Sequence, residues 1–463
     1  MLDRRQFAVG GLASIAFVGL ALQSCAELPR RRAVVGYGPL ESDPRGLIDL
    51  PKGFNYRIVS QAGKPMDDGF LVPDHFDGMG CIPLADGSVA LIRNHELYPK
   101  DRALGAAGTD ARLEARLLSG PHFGKDVNGQ ALPGGTTTTI YDVHAGRIVS
   151  HYLSLAGTAV NCAGGITPWD SWLSCEEVSE DRIDGPVGRE HGWVFEVPAS
   201  QRGLVQPVPL RGLGRFRHEA VAVDPATGIA YLTEDQEDGL LYRFLPDSPR
   251  QFARGGRLQA LGLRATPGGG DTRNWDSAQV ERGKWNEVFW VDLAGTDNPH
   301  GDLRMRGHAA GAALFARAEG IHFGNGEFYF TCTDGGPSRI GQVMRYKPSP
   351  AEGSTEEKAN PGRLQLFVEA NDVELMSYID NLTIAPWGHL IVCEDRNRDN
   401  DTRANQVKGI TSEGRTYTIA RLRSDTEFAG ACFSPDKSTL FVNAYAPGAT
   451  IAITGPWNQF RNS

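Results

Sequence analysis

Acidic residues and one thiol recur at a fixed position of a repeated sequence pattern, and this spacing could assemble a chemical site. Each copy has a short apolar segment, a turn at Pro or Asn, and a second apolar segment that ends in polar or acidic residues. The turns fall at positions 83, 168, 225, 325, 386 and 435, and the residues six positions earlier are Asp77, Cys162, Glu219, Glu319, Asp380 and Ala429. The residues that follow these six are small or carry an amide: Gly78, Ala163, Ala220, Gly320, Asn381 and Gly430.

This combination of residue types favours metal binding. Carboxylates held together in a confined space repel one another and shift their pKa values unless cations lie among them. Oxygen ligands at this density suit Ca²⁺, whereas a thiolate among them requires a transition metal. The alternative is that the acidic residues only bond the backbone of the neighbouring repeat.

A second set of carboxylates follows the second segment of the copies. Adjacent residues of a strand point to opposite faces, so only one member of each acidic pair can reach a shared site. We expect the other member to cap a turn or to orient its neighbour. The set comprises Glu96, Glu176, Glu177, Glu234, Asp235, Asp334, Glu394 and Asp395.

Two arginines stand at matching positions, because Arg217 and Arg317 each precede an acidic residue of the first set by two positions. Residues i and i+2 share a strand face, so each guanidinium should point where its glutamate points. Arginine is the side chain best suited to bidentate contact with phosphate, and we predict an anion-binding, catalytic role for both. The alternative is an ion pair between neighbouring repeats.

The elements that must position these residues are β-hairpins. Both segments of each copy are rich in β-branched and aromatic residues and are bounded by turn residues. We see no helical period of useful length after the N-terminal segment, and we assign residues 100–135 and 250–310 to insertions. Six hairpins without helices predict an all-β fold, a six-bladed β-propeller with inserted loops over its channel. A β-sandwich with a second domain is the alternative.

The N-terminal segment is typical of an export signal. Arg4 and Arg5 precede an apolar run of 16 residues, from Phe7 to Leu22, shorter than the ~20 residues of a membrane helix. We predict a twin-arginine signal over residues 1–25, a linker over 26–50 and the propeller over 51–463, with the twin-arginine export machinery as a partner. The alternatives are an uncleaved anchor and a soluble helix. The protein is then periplasmic or secreted, and a lipobox-like sequence ending at Cys25 leaves open a lipid tether to the membrane.

Charge and cysteine usage narrow the function further. The formal net charge of −9 argues against nucleic acid as the main partner, because phosphate contacts need a basic face. Of the seven cysteines, only Cys162 occupies the acidic register. We expect Cys81, Cys175, Cys332, Cys393 and Cys432 to be packing residues. No Gly-x-Ser-x-Gly motif and no phosphate-binding P-loop motif occurs.

The sequence resembles the PhoX-type alkaline phosphatases in a series of short stretches over residues 50–457. They include Asn94-His95-Glu96, Asn161-Cys162-Ala163-Gly164-Gly165, Arg217-His218-Glu219-Ala220-Val221, Ala318-Glu319-Gly320, Asp380-Asn381-Leu382 and Cys393-Glu394-Asp395. The resemblance implies a six-bladed propeller, a channel with a cluster of Fe³⁺ and Ca²⁺ bridged by cysteine, and twin-arginine export. It implies hydrolysis of a small phosphomonoester substrate with release of phosphate.

The resemblance assigns metal-ligand roles to Cys162, Glu219 and Glu319, and a phosphate contact to Arg317. Together with the register, it gives a predicted metal site of Cys162, Glu219, Glu319, Glu96, Glu176, Glu177, Glu234, Asp235, Asp380, Asn381, Glu394 and Asp395. Two alternatives belong to other functional classes. A calcium-dependent propeller esterase or lactonase would share acidic and Asn ligands but would not need Cys162 or two arginines. A non-catalytic periplasmic propeller would hold structural calcium without turnover.

Overall fold

Short β-branched and aromatic segments form almost all regular structure in the computed structural model, which describes residues 35–178, 188–396 and 403–462. The predicted export signal and Cys25 lie outside these residues. The first strands are β1 (Val35–Gly36), β2 (Leu40–Glu41), β3 (Ile48–Pro51) and β4 (Asn55–Gln61). The first three lie almost wholly in the stretch that we assigned to a linker. That assignment is wrong for residues 35–50, because β1 pairs with the last strand of the chain and β3 pairs with β24.

Six repeated units follow, and each starts with the strand that carries the first acidic register. The first three units contain β5 (Phe76–Pro83), β6 (Val89–His95), β7 (Gly134–Asp142), β8 (Arg147–Thr158); β9 (Asn161–Ile166), β10 (Ser171–Glu176), β11 (Val194–Pro198); and β12 (His218–Val223), β13 (Ala230–Glu234), β14 (Leu241–Pro246), β15 (Gly256–Leu263). A separate strand, β16 (Trp285–Asp292), precedes the fourth unit.

The remaining strands complete the last three units and end in a terminal strand. They are β17 (Ala318–Gly324), β18 (Glu327–Cys332), β19 (Gln342–Lys347), β20 (Arg363–Glu369); β21 (Ile379–Ile384), β22 (Leu390–Glu394), β23 (Gln406–Ile410), β24 (Thr416–Leu422); β25 (Phe428–Phe433), β26 (Thr439–Ala444), β27 (Ala449–Thr454); and β28 (Arg461–Asn462). Strand β4 adds to the edge of β27, so an N-terminal strand completes the sheet of the last unit.

The first strands of the units pack side by side in a closed circle. Contacts run from β5 to β9, β12, β17, β21 and β25, and β25 packs back against β5. Each unit extends outward from this circle as an antiparallel sheet. The fold is therefore all-β with a propeller-like arrangement around a central channel.

The sheets do not form six separate blades. Strands β12–β15 and β17–β20 belong to one nine-stranded sheet, because β16 pairs with β15 along one edge and with β20 along the other. Strand β16 lies in the predicted insertion 250–310. The insertion thus supplies a shared outer strand, which the repeat pattern could not reveal.

Two short helices correct the expectation of no useful helix. The first, α1 (Ala111–Ser119), begins where Asp110 accepts a hydrogen bond from the backbone N–H of Arg112. The second is α2 (Leu303–Ala309). Both lie in the predicted insertions. No helix in the described ranges combines the length and the apolar character that crossing a bilayer requires.

Each unit has a β-bulge at the same place in its first hairpin. The pairing of the first two strands shifts directly after the acidic register, for example between His218 and Val221 and between Ala318 and Ile321. The same shift occurs in the other four hairpins. A bulge bends its strand and re-aims the side chains beside it, so this repeated irregularity positions the acidic register at one end of the channel.

Candidate metal centre and active site

The thiol of Cys162 lies among carboxylates from three units. Its Sγ is 3.4 Å from Oδ2 of Asp77 and 3.3 Å from Oε1 of Glu219. Two groups of three residues could each hold one metal ion, and Cys162 belongs to both: Asp77, Glu96 and Cys162, and Cys162, Glu177 and Glu219. Within each group the ligand atoms lie within 4.8 Å of one another. The thiol thus occupies the position of a ligand shared by two cation sites.

The structure separates the acidic pairs into an inner and an outer member. Glu177 and Asp235 meet in the channel, where both contact Arg217. The outer members Glu176, Glu234 and Glu394 are occupied elsewhere. Glu176, for example, accepts hydrogen bonds from the backbone N–H groups of Ala159, Gly192 and Trp193 and contacts His191.

The other two outer carboxylates are engaged in the same way. Glu234 accepts from the backbone N–H of Leu240 and from the Tyr242 hydroxyl, and Glu394 accepts from Ser377 N–H and from Arg396. The structure therefore does not bring Glu176, Glu234 and Glu394 to the cluster, contrary to our prediction. Each of the three is the last residue of its strand, β10, β13 or β22.

The cluster of carboxylates is completed by Glu319 and Asp380. The neighbouring Asn381 has a supporting role. Its Nδ2 donates to Oδ1 of Asp380 at 2.8 Å, and its Oδ1 accepts from the backbone N–H of Gly430 at 2.6 Å. Both polar ends of the amide are thus used within the protein. Asn381 fixes the carboxylate of Asp380 rather than offering a free ligand atom.

The two arginines lie at the channel mouth and contact the carboxylates differently. Arg317 donates through Nε to Oδ1 of Asp235 at 2.6 Å, and its Nη2 lies 2.7 Å from Oε1 of Glu319. Arg217 contacts Glu177 and Asp235. Arg317 points where Glu319 points, as predicted, and it also contacts Asp235 of the preceding unit. At Arg217 the alternative holds, because its guanidinium forms an ion pair with Glu177 of the preceding unit and also contacts Asp235 of its own unit.

Burial and mutual repulsion dominate the electrostatics of the cluster. Burial, with repulsion from neighbouring carboxylates, raises the pKa values of Asp77, Glu177, Glu219 and Glu319 well above the ordinary range. The same causes raise the pKa of Glu96 to about 7 and that of Asp380 to about 6. They also raise the pKa of the Cys162 thiol.

Asp235 is the exception. Burial alone would raise its pKa, but Arg317 and Arg217 lower it to about 2. The arginines therefore lower the pKa of Asp235 below its ordinary value, whereas at Glu177 and Glu319 they offset burial and repulsion only in part.

The donor set fits metal ions. Oδ1 of Asp77 is buried and has no hydrogen-bond partner, although a buried carboxylate oxygen normally has one. A cation between Asp77, Glu96 and Cys162 would satisfy this oxygen and reverse the pKa shifts of its neighbours. The hard oxygens suit Ca²⁺, and the thiol suits a softer transition metal.

Sequence reasoning missed three residues of the site. Glu427 lies near Asp395, Asp380 and Asp77, and burial with their repulsion raises its pKa well above the ordinary value. It precedes β25 directly, the position that Arg217 and Arg317 hold before β12 and β17, so alignment of the repeats could have found it. The Tyr445 hydroxyl donates to Oε2 of Glu96 at 2.6 Å, and Tyr98 lies close enough to Glu96 and Arg217 for both charges to act on its pKa.

The channel becomes apolar beyond the small residues that directly follow the acidic register. A cavity of about 350 Å³ begins at Gly78, Ala163, Ala220 and Gly320 and continues along the same strands towards their turns. Its walls are mainly apolar: Met79, Ile166, Val221, Val223, Ile321, Phe323 and Leu382. The charged site is thus confined to one end of the channel.

Comparison with known proteins gives one family. The family model described as alkaline phosphatase PhoX matches residues 35–448. The solved structure of Pseudomonas fluorescens PhoX in complex with vanadate, a transition state analogue, has a TM-score of 0.65 at 19% identity, covering 91% of this chain and 98% of that chain. That likeness shows a shared fold.

A gluconolactonase from Xanthomonas campestris has a TM-score of 0.42 at 11% identity and covers 92% of this chain and 99% of that chain. A search of curated proteins found no match.

Proposed function

The chain belongs to the alkaline phosphatase PhoX family and is a phosphomonoester hydrolase, and we propose that it works at the Cys162 cluster with Fe³⁺ and Ca²⁺. The substrate is a small phosphomonoester and the product is phosphate. The two cation groups that share the Cys162 thiol carry this proposal. A shared thiolate suits two iron ions, and the surrounding carboxylates offer further oxygen ligands for calcium.

The residues that would hold the metal ions are those that the structure brings together. They are Asp77, Glu96, Cys162, Glu177, Glu219, Glu319 and Asp380, with Asp395 and Glu427 on the same side of the channel. Bound metal ions supply Lewis acidity towards the phosphoryl oxygens. The carboxylates hold the excess negative charge that makes binding of several cations favourable.

Arg317 and Arg217 are proposed to bind the phosphoryl group. Asp235 contacts both guanidinium groups and fixes them at the channel mouth, and 21% of the Arg317 side chain stays exposed. A planar guanidinium can donate to two phosphoryl oxygens at once. Donors fixed in place before the reaction stabilise the charge that develops on these oxygens in the transition state.

Two further parts of the proposal concern architecture and location. We count six blades, because six first strands form a closed circle and β16 only joins two neighbouring units at their outer edges.

We also infer twin-arginine export to the periplasm or medium, supported by Arg4, Arg5 and the apolar run that follows. Replacing both arginines with lysine should keep the protein in the cytoplasm. Unchanged export of the double variant would exclude this route.

Elemental analysis paired with a phosphomonoester assay tests the central proposal. Protein expressed with ample iron and calcium should contain both metals and hydrolyse p-nitrophenyl phosphate. Removal of either metal should lower turnover, and its return should restore turnover. Calcium without iron in an active preparation would reject the shared-thiolate site, and metal-loaded protein without hydrolysis would reject the assigned reaction.

A further inference from the structure

A second cavity opens beside the cluster, and Arg217 belongs to both. The cavity has a volume of about 520 Å³, which is within the usual range for small-molecule sites. Arg217 contacts Glu177 and Asp235 of the cluster through Nη2 and also lines this cavity. The residue is 8% exposed, and its buried Nε has no hydrogen-bond partner. A group bound here would therefore lie next to a phosphoryl group at the cluster.

The walls of this cavity are basic. Three guanidinium groups line it, from Arg215, Arg217 and Arg304, together with the exposed imidazole of His300. Arg215 donates through Nε to the carbonyl oxygen of Asp297 and through Nη2 to that of Asn298. Arg215 also forms an ion pair with the carboxylate of Glu190, at 3.9 Å.

Arg304 is held by one nitrogen and presents the others. Its Nε donates to Oδ1 of Asp238 at 2.7 Å, and 24% of its side chain is exposed. Within the described residues no hydrogen bond engages its two terminal nitrogens. The fork is thus fixed in direction and has donors left for a ligand in the cavity.

One carboxylate, that of Glu234, lines the cavity, and it is engaged within the protein. Glu234 accepts hydrogen bonds from the Leu240 N–H and from the Tyr242 hydroxyl. The lining guanidinium groups of Arg217 and Arg304 also contact carboxylates that lie outside the walls. The donors that stay open on Arg304 therefore decide which group the cavity can bind.

We propose that this cavity, the Arg304 pocket, binds the leaving group of the substrate and selects phosphomonoesters whose leaving group carries a carboxylate or another second anionic group. The inference rests on the proposed phosphatase reaction at the Cys162 cluster, since it assigns the adjoining space to the part of the substrate that departs. Arg304 is the specificity-determining residue, because its terminal nitrogens are the donors that remain for that second anion.

A matched substrate pair tests the Arg304 pocket. The leaving group of glycerol 3-phosphate has a hydroxymethyl group at the position where that of 3-phosphoglycerate has a carboxylate. The metal-loaded wild type should prefer 3-phosphoglycerate in kcat/KM by about tenfold, which corresponds to about 1.4 kcal/mol. The Arg304→Gln variant should lose this preference, and Arg304→Lys should keep part of it. An unchanged ratio in Arg304→Gln would overturn the assignment.

Arg306 provides the matched control, since it lies on the same helix but binds Asp302 and the carbonyl oxygens of Ala294 and Gly295. Arg306→Gln should retain the preference of the wild type, and an equal loss in both variants would overturn the assignment.

Calorimetric titration with glycerate separates this inference from the reaction itself. If the wild type binds glycerate and Arg304→Gln does not, the pocket is supported, whether or not either ester is hydrolysed. Absence of hydrolysis of both esters would reject only the proposed function. Absence of glycerate binding to the wild type would reject the pocket.

Discussion

The two ends of the central channel are built from the same six strands, yet their chemistry is opposite. At one end the strands present Asp77, Cys162, Glu219, Glu319 and Asp380. At the other end the same strands line an apolar cavity of about 350 Å³. Two residues along β17 suffice for the change, because Glu319 belongs to the cluster and Ile321 lines the cavity.

The boundary between the two ends is a circle of small residues beside the bulges. A Cβ atom added to Gly78 would lie 2.6 Å from Cα of Ala163, and one added to Gly320 would lie 2.5 Å from the backbone nitrogen of Leu382. Neighbouring strands thus approach too closely for a side chain at Gly78 and Gly320. Close strand contact and a repeated bulge thus confine charge to one end of the channel, whereas the other end serves packing.

The largest difference in metal content and activity is expected between variants of two cysteines at opposite ends of the channel. Burial and the repulsion of Asp77 and Glu219 raise the pKa of the Cys162 thiol, so its thiolate form requires a cation. Cys162→Ser should lose iron and at least about 100-fold in phosphatase activity, because removal of a group that supports a metal site already costs about 10–100-fold. Iron content and turnover of the purified variant measure this.

Cys432 is the matched control, since it is 7% exposed and lines the apolar cavity. Cys432→Ser should keep both metals and turnover while losing about 1–3 kcal/mol of stability from an unsatisfied buried hydroxyl. Equal loss of activity at both positions would remove the functional distinction between the two ends.

The second largest effect is expected on turnover, when the guanidinium group of Arg317 at the charged end is replaced. Arg317→Ala should lower turnover by about 10²–10³ at unchanged metal content, as loss of one transition-state donor typically does. Arg317→Lys keeps the charge but not the fork, so it should behave much closer to Ala than to wild type. Steady-state kinetics with metal analysis of the same samples measures both.

Arg345, which pairs with Glu327 on the strands of the same unit, serves as a control that should leave turnover unchanged. If Arg317 serves only as an ion pair between units, Arg317→Ala should instead lose stability and metal, with nearly normal turnover per metallated molecule. Turnover within about threefold of wild type, below the range of donor loss, would remove Arg317 from the reaction.

Metal extraction should affect the charged end in a pH-dependent way. Without cations, burial and repulsion raise the pKa of Glu96 from 4.5 to about 7 and that of Asp380 from 3.8 to about 6. A raised pKa in the folded state gives stability at low pH that is lost as pH rises through the folded value. The metal-free protein should therefore lose on the order of a few kcal/mol between about pH 4 and pH 7.

Bound metal should reverse this trend, because cations stabilise the ionised carboxylates and compete with protons. Melting temperatures from pH 4 to 8, with and without chelator, give the comparison. A metal-free protein that melts no lower than the metal-loaded form at pH 8 would contradict the uncompensated cluster.

How much of this site the sequence predicts depends on repetition. The position of Cys162 among carboxylates follows from counting back from six turns, because equivalent residues of a circular repeat must meet. The all-β class follows from the same repeats, and the family follows from the resemblance of short sequence stretches. The non-repeated strand β16 did not follow, since it joins two sheets from within an insertion. Glu427 was missed because the register residue of its repeat is Ala429, although it holds the same repeat position as Arg217 and Arg317.

The orientation of adjacent carboxylates was also beyond the sequence. Glu176 and Glu177 are the same residue type, and the partners that distinguish them, His191 and Arg217, lie in other segments of the chain. The i and i+2 rule holds at Arg317 but not at Arg217, although both residues directly precede their strands, because Arg217 is drawn to the carboxylates of Glu177 and Asp235. Tertiary contacts, not local pattern, decide these positions.

The smallest expected effect lies at the apolar end, at Ile321. This residue is 5% exposed and lines the cavity, two positions after Glu319. Ile321→Val removes one methylene, which typically costs about 0.5–1.5 kcal/mol, and the existing cavity should keep the cost near the lower bound. Metal content and turnover should stay those of the wild type, whereas Glu319→Gln should lose metal. Urea unfolding gives the stability change, and steady-state kinetics on the same samples gives the turnover. Because the small residues separate Ile321 from the carboxylates, a change in turnover beyond about threefold, equivalent to about 0.6 kcal/mol, would mean that packing at the apolar end positions the metal ligands. The two ends would then act as one unit.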